Sequence, residues 1–187
     1  EPYRRQRQMC IRDRNLTYEQ TVQKVRQLLD KAIQRQMISD VGISCFLSGG
    51  LDSSIISTIA SKNTSKLDTF SIDYEDNMKD FVPNSFEITP DRVYAKKVSE
   101  AIGSEHHSVV IDNDTLVRYL QKAVDLKDSP GMTDIDSSMI YLAQNIAKYY
   151  KVSLSGEAAD EVFAGYPWYY KKEKAVSYTH LTLPTIR

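Results

Sequence analysis

The chain is poor in the residues that mark several protein classes. It has 2 cysteines in 187 residues, too few for a disulfide framework. Cys45 sits inside an apolar run and is expected to be a buried thiol, and a reducing cytoplasm is the expected compartment. No apolar run approaches the roughly 20 residues that a membrane helix needs, so no membrane segment is expected. The formal net charge is -1, and no basic stripe argues for a nucleic-acid partner. Hydrophobic residues at 41% and charged residues at 26% are close to globular averages. No internal repeat is present.

What is present is an alternation of two periods. Thr17 and Gln20 have the form of a capping box. Val22, Val25, Leu28, Leu29, Ala32 and Ile33 then recur at helical spacing, which predicts an amphipathic helix over 18–37. Residues 41–47 form a short apolar run suited to a strand buried on both faces. A helix through Ile55, Ile56, Ile59 and Ala60 follows, then a strand over 67–74 and a polar loop over 75–88. Thr89, Pro90 and Asp91 predict a helix start with Thr as cap and Pro in the first position, and Gly103 its stop. A strand over 107–111, a helix through Leu116 to Val124, a loop over 127–136, a helix from Met139 and a short strand at 152–154 complete the series. Such alternation predicts an α/β fold with an open, doubly wound, mostly parallel sheet, in which ligands sit at the carboxyl ends of the strands.

Two segments at those ends carry unusual chemistry. Ser48-Gly-Gly-Leu-Asp-Ser-Ser54 follows the first strand. Gly49 and Gly50 permit close backbone approach, and their amides with the following helix N-terminus make an anion-binding concavity. Ser48, Ser53 and Ser54 add hydroxyls, and the segment lacks the Gly-Lys-Ser/Thr ending of a Walker A loop. Asp52 would repel a bound phosphate unless a divalent cation bridged the two. As structure alone, the segment would be a Gly-Gly turn capped by Asp and Ser. Ser155-Gly-Glu-Ala-Ala-Asp-Glu161 follows the fourth strand and brings Glu157, Asp160 and Glu161 to a second strand-to-helix turn. First-turn acids also complement a helix dipole, the plain alternative for Glu161. His106 and His107, adjacent on a strand, point to opposite faces and cannot both ligate one metal.

Ser-Gly-Gly-Leu-Asp-Ser-Ser at 48–54 resembles the pyrophosphate loop of the N-type ATP pyrophosphatases, the adenine nucleotide alpha-hydrolase-like fold. Leu154 to Tyr166 resembles the Ser-Gly-Glu/Asp-x-x-Asp-Glu-x-Phe-x-Gly-Tyr signature of glutamine-hydrolysing asparagine synthetases and the related β-lactam synthetases. The resemblance covers about residues 15–174. It implies binding of ATP and pyrophosphate by Ser48, Gly49, Gly50, Leu51, Asp52, Ser53, Ser54, Ser155 and Gly156, with Phe70, Ser71 and Ile72 lining an adenine pocket. It implies Mg2+ held by Asp52 and Asp160, and Glu157 as the catalytic base. The implied reaction joins ammonia to aspartate through β-aspartyl-AMP, releasing AMP and pyrophosphate. Residues 127–138 fall where the family's aspartate-binding loop lies, but carry no Arg, so the group that grips the substrate is open. The alternatives are a β-lactam synthetase-like adenylating ligase and a truncated, non-catalytic ATP-binding module.

The resemblance also implies an N-terminal glutaminase domain that supplies the ammonia. Met9-Cys10 looks like its nucleophilic start, but Ile11 to Arg14 do not continue the Cys-Gly-Ile pattern. Residues 1–14 and 175–187 show no period and resemble translated sequencing-adapter read-through. The expectation is therefore a truncated synthetase domain over 15–174, between two non-native ends and without the helical part that would bring a phosphate-contacting Lys. The oligomeric state is open, a homodimer included.

Overall fold

In the computed structural model the described residues are 16–82, 89–129, 131–166 and 169, without the side chains of 78, 80, 133 and 134. The two ends read above as non-native lie outside them. The first helix, α1 (Tyr18–Gln36), opens with the expected capping box: Gln20 N–H donates to Thr17 Oγ1, and Thr17 N–H to Gln20 Oε1. Its apolar stripe is only partly used. Ile33 is buried, whereas Val22, Val25 and Leu28 are exposed.

Strand β1 (Ile43–Phe46) leads through the Gly-Gly turn into α2 (Leu51–Ser61). Strand β2 (Asp68–Tyr74) follows, then a single-turn helix α3 (Asn77–Asp80) inside the segment expected to be loop. The next helix, α4 (Asp91–Ile102), starts one residue later than expected. Pro90, not Thr89, is its cap, and a proline there sets the entry of the chain without a side-chain acceptor. Gly103 ends it at φ 67, as its sequence position predicts. Strand β3 (Glu105–Ile111) is followed by α5 (Asn113–Lys127), capped by Asp112. Helix α6 (Thr133–Ile146) begins six residues before its first apolar marker, because its first turns bury Ser137 and Ser138 instead of apolar side chains. Strand β4 (Val152–Leu154) runs into α7 (Ala159–Phe163).

The four strands are parallel and ordered β3-β2-β1-β4. One apolar layer joins Cys45, Ala60 and Leu67 with Ile56 and Ile102 of α2 and α4. Another joins Phe70 with Leu142 and Ile146 of α6. Neighbouring residues Cys45 and Phe46 belong to different layers, as alternation along a strand requires. The sheet is thus covered on both faces, the expected doubly wound α/β arrangement. Cys45 is fully buried, and burial pushes its thiol up to about 11, so it is a core side chain and no nucleophile.

From β1 the chain steps to β2 and β3 on one side, then returns to place β4 on the other side of β1. The strand order therefore reverses at the β1–β4 boundary, where a crevice forms between the diverging connections. The two unusual segments leave the sheet from these two strands.

Candidate functional site

The turn after β1 is held by its own hydroxyls. Ser48 Oγ lies 3.1 Å from Ser53 Oγ and accepts from Gly50 N–H at 3.3 Å. Ser53 Oγ in turn donates to the Gly50 carbonyl at 3.2 Å. Gly49 is required twice over. Its φ is 92, and a Cβ there would collide with the backbone nitrogen of Ala95 and lie 2.6 Å from Tyr94 Cβ. The loop is thus pressed against α4, while Gly50, Asp52 and Ser53 at the start of α2, where the first amides have no acceptor within the helix, line the crevice.

The turn after β4 reaches the same place. Glu157 N–H donates to Ser155 Oγ at 3.1 Å, which curls the chain toward α2. Gly156 makes the meeting of the two turns possible: a Cβ there would lie 3.1 Å from Asp52 Cβ and 3.1 Å from Ser53 N. Ala158 follows with φ 68, an uncommon conformation for a residue bearing a Cβ.

Between the turns lies a cleft of about 330 Å³. Ser48, Gly50, Asp52, Ser53, Ser155, Gly156, Glu157 and Asp160 line it, and so do Phe70, Ser71 and Ile72 from the end of β2. Gly49, Leu51 and Ser54 do not. Gly49 backs onto α4, Leu51 faces solvent, and the Ser54 hydroxyl is buried with no hydrogen-bond partner among the described residues. The cleft also contains residues that sequence reasoning did not assign to it: Phe46, Asp91 at the start of α4, and Met139 and Leu142 of α6. Met139 had been visible only as one apolar position of a helix, and Asp91 only as a first-turn acid. Tyr166 also lines the cleft, and its hydroxyl donates to Glu161 Oε1 at 3.2 Å.

The electrostatics are one-sided. Asp52, Asp91, Glu157, Asp160 and Glu161 line the cleft, and no Lys, Arg or His does so among the described residues. Burial, and then the charge of Asp160, hold the Asp52 carboxyl above its ordinary value. Two carboxylates that repel each other across a cleft of hard oxygen donors suit a small divalent cation. Among the described residues no group of three or more His, Cys, Asp or Glu side chains could hold a metal. Asp52 and Asp160 would therefore share such an ion with ligand oxygens and water, the usual way Mg2+ is held. His106 and His107 are occupied elsewhere. His106 lies between the Thr69 and Ser71 hydroxyls, at 3.0 and 3.1 Å, and burial and then His107 push its pKa down. His107 stacks on Phe70 and pairs with Asp68 at 3.3 Å on the other face.

Residues 24–185 match the family described as asparagine synthase. "Asparagine synthetase [glutamine-hydrolyzing] 3" of Bacillus subtilis is 46% identical over 159 residues, covering 82% of this chain and 26% of that protein. "Asparagine synthetase [glutamine-hydrolyzing]" of Bos taurus is 32% identical over 160 residues, covering 79% of this chain and 26% of that protein. The chain thus spans about a quarter of the length of the curated relatives it matches. Among solved structures, an NMN synthetase from Francisella tularensis aligns over 81% of this chain and 60% of its own at 18% identity and a TM-score of 0.45, a likeness too low to argue from.

Proposed function

The chain belongs to the asparagine synthase family, and we propose that its cleft is the ATP site of a ligase that converts aspartate to asparagine. The observation that carries this reading is the contact between the two turns. Gly156 brings the Ser155–Asp160 turn against Asp52 and Ser53, so a phosphate cradle and a set of carboxylates face one another across a single crevice.

In this reading the adenine lies against Phe70, Ser71 and Ile72, where the carboxyl end of β2 offers an apolar wall and backbone groups to the cleft. The Ser48 and Ser53 hydroxyls and the Gly50 and α2 amides receive the β- and γ-phosphates and stabilise pyrophosphate as it leaves. Asp52 and Asp160 would hold Mg2+, which would supply charge neutralisation for the phosphates in a cleft that no cationic side chain lines among the described residues. The side-chain carboxylate of aspartate attacks the α-phosphorus, the bond to the β-phosphate breaks, and β-aspartyl-AMP forms. Ammonia then attacks the activated carbonyl, and Glu157, exposed at the cleft edge, takes the proton from the developing ammonium as AMP departs. The ammonia comes from glutamine, hydrolysed by a further domain of the whole protein, as the names of the relatives suggest. The reaction is expected in the cytoplasm.

The reading is tested by pyrophosphate release from the full-length protein. Release that requires both Mg2+ and aspartate supports it. Release driven by a different carboxylic acid, with aspartate inert, points to another adenylating ligase, and Mg-ATP binding without any acid-dependent release points to a nucleotide-binding module.

A further inference from the structure

Strand β2 ends in a buried carboxylate that the reading above does not use. Asp73 is 5% exposed although it lies at the carboxyl edge of the sheet. It accepts from Tyr74 N–H at 2.9 Å, from Asn77 Nδ2 at 2.9 Å and from Arg92 Nη1 at 3.5 Å. Asn77 opens α3, and Arg92 belongs to the first turn of α4. One carboxylate therefore ties the strand that carries Ser71 and Ile72 to both elements that follow it. A charge this buried is costly unless its partners compensate, so its placement calls for a reason.

The reason lies in what α4 touches. Its second turn, at Tyr94 and Ala95, is the wall against which Gly49 is pressed, with no space for even one methyl group. Its first residue, Asp91, lines the cleft. Helix α4 thus sets the phosphate loop from behind and shapes the cleft in front. We propose that Asp73 is a positioning residue for nucleotide binding: by fixing the start of α4 through Arg92, it holds the Gly49 loop and Asp91 in the geometry that receives Mg-ATP. This rests on the reading of the cleft as an ATP site.

The test is calorimetric titration of the full-length protein with Mg2+ and the non-cleavable analogue α,β-methylene-ATP, alongside thermal unfolding of each variant. Asp73→Asn should weaken binding by roughly tenfold, with a single cooperative unfolding transition retained. Arg92→Gln should weaken it severalfold, again with a single cooperative unfolding transition retained. The double variant should bind within about twofold of Asp73→Asn, because both changes cut the same link. Unchanged affinity in Asp73→Asn, or losses that simply multiply in the double variant, would overturn the assignment. If Asp73→Asn does not fold, Arg92→Gln decides alone: weaker binding with a cooperative unfolding transition retained supports the link, and unchanged binding refutes it. Wild-type protein that binds no analogue would overturn the ATP reading itself, and with it this proposal. Normal wild-type binding with indifferent variants would overturn the proposal only.

Discussion

The turn after β1 and the turn after β4 do the same topological job and are built differently. The first is closed by three hydroxyl contacts among Ser48, Gly50 and Ser53, backed by α4, and continued by a helix of 11 residues that buries Ser53, Ser57 and Ala60. The second ends in a helix of 5 residues with no buried side chain, flanked by Ala158 and Ala164, both in the left-handed region. Glu157 and Glu161 there are exposed. A cradle for a leaving group works best when its donors are fixed beforehand. In the proposed reaction the second turn would meet two partners in succession, an acid and then ammonia, and its lighter packing would leave it room to do so. The contrast is between a preformed wall and an adjustable one.

The largest expected effect belongs to the adjustable wall. Glu157→Gln should lower asparagine formation by roughly 10²–10⁴-fold while leaving Mg-ATP binding almost untouched. Normal product formation in a steady-state assay would remove Glu157 from the chemistry. Next comes the preformed wall. Gly49→Ala puts a Cβ into the α4 backbone at a positive φ, and should cost about 2–4 kcal/mol in denaturant unfolding together with the loss of nucleotide binding. Gly103→Ala is the control for φ alone, because a Cβ at that position meets nothing within 4 Å. It should cost only about 1 kcal/mol.

A smaller effect of opposite sign sharpens the contrast. Ala158→Gly relieves a left-handed alanine, and should stabilise the fold by about 0.5–1 kcal/mol if the second turn is as loosely packed as it looks. The smallest effect concerns Asp52, whose carboxyl is held above its ordinary pKa by burial and by Asp160. The folded chain binds that proton more tightly than the unfolded chain, so the group costs stability above its raised pKa and the cost vanishes as pH falls into the ordinary carboxylate range. Asp52→Asn should therefore melt slightly higher than wild type at neutral pH, and thermal scans should show the gap closing on acidification. Added Mg2+ should also narrow it by stabilising the wild type.

The fold was largely legible because a parallel sheet writes itself as apolar runs separated by helical periods. Val41 to Leu47 and Val152 to Leu154 each contain one strand, and both turns fall where those runs stop. The capping box at Thr17 is a local device, and it formed as written. What was not legible depended on partners distant in sequence. The stripe of Val22, Val25 and Leu28 announced a helix correctly but not that this face would remain exposed. The start of α6 was hidden because Ser137 and Ser138 are buried as polar residues, with Ser138 hydrogen-bonded to the Tyr74 hydroxyl at 2.8 Å, a contact no period reveals. In the site, the residue types of both turns were readable, whereas Asp91, Met139 and the tie from Asp73 to α4 emerge only when the sheet is assembled. The span from Ser48 to Ser54 also divides in the fold: Ser48, Gly50, Asp52 and Ser53 face the cleft, while Gly49, Leu51 and Ser54 do not.

The central claim is that the two turns together form one Mg-ATP site whose protein surface is acidic. Its most direct test is titration of the full-length protein with ATP in the presence and in the absence of Mg2+. Binding that appears only with Mg2+, and that Asp52→Asn and Asp160→Asn each weaken, is the predicted result. Equal binding without the metal, or no binding in either condition, would contradict the account.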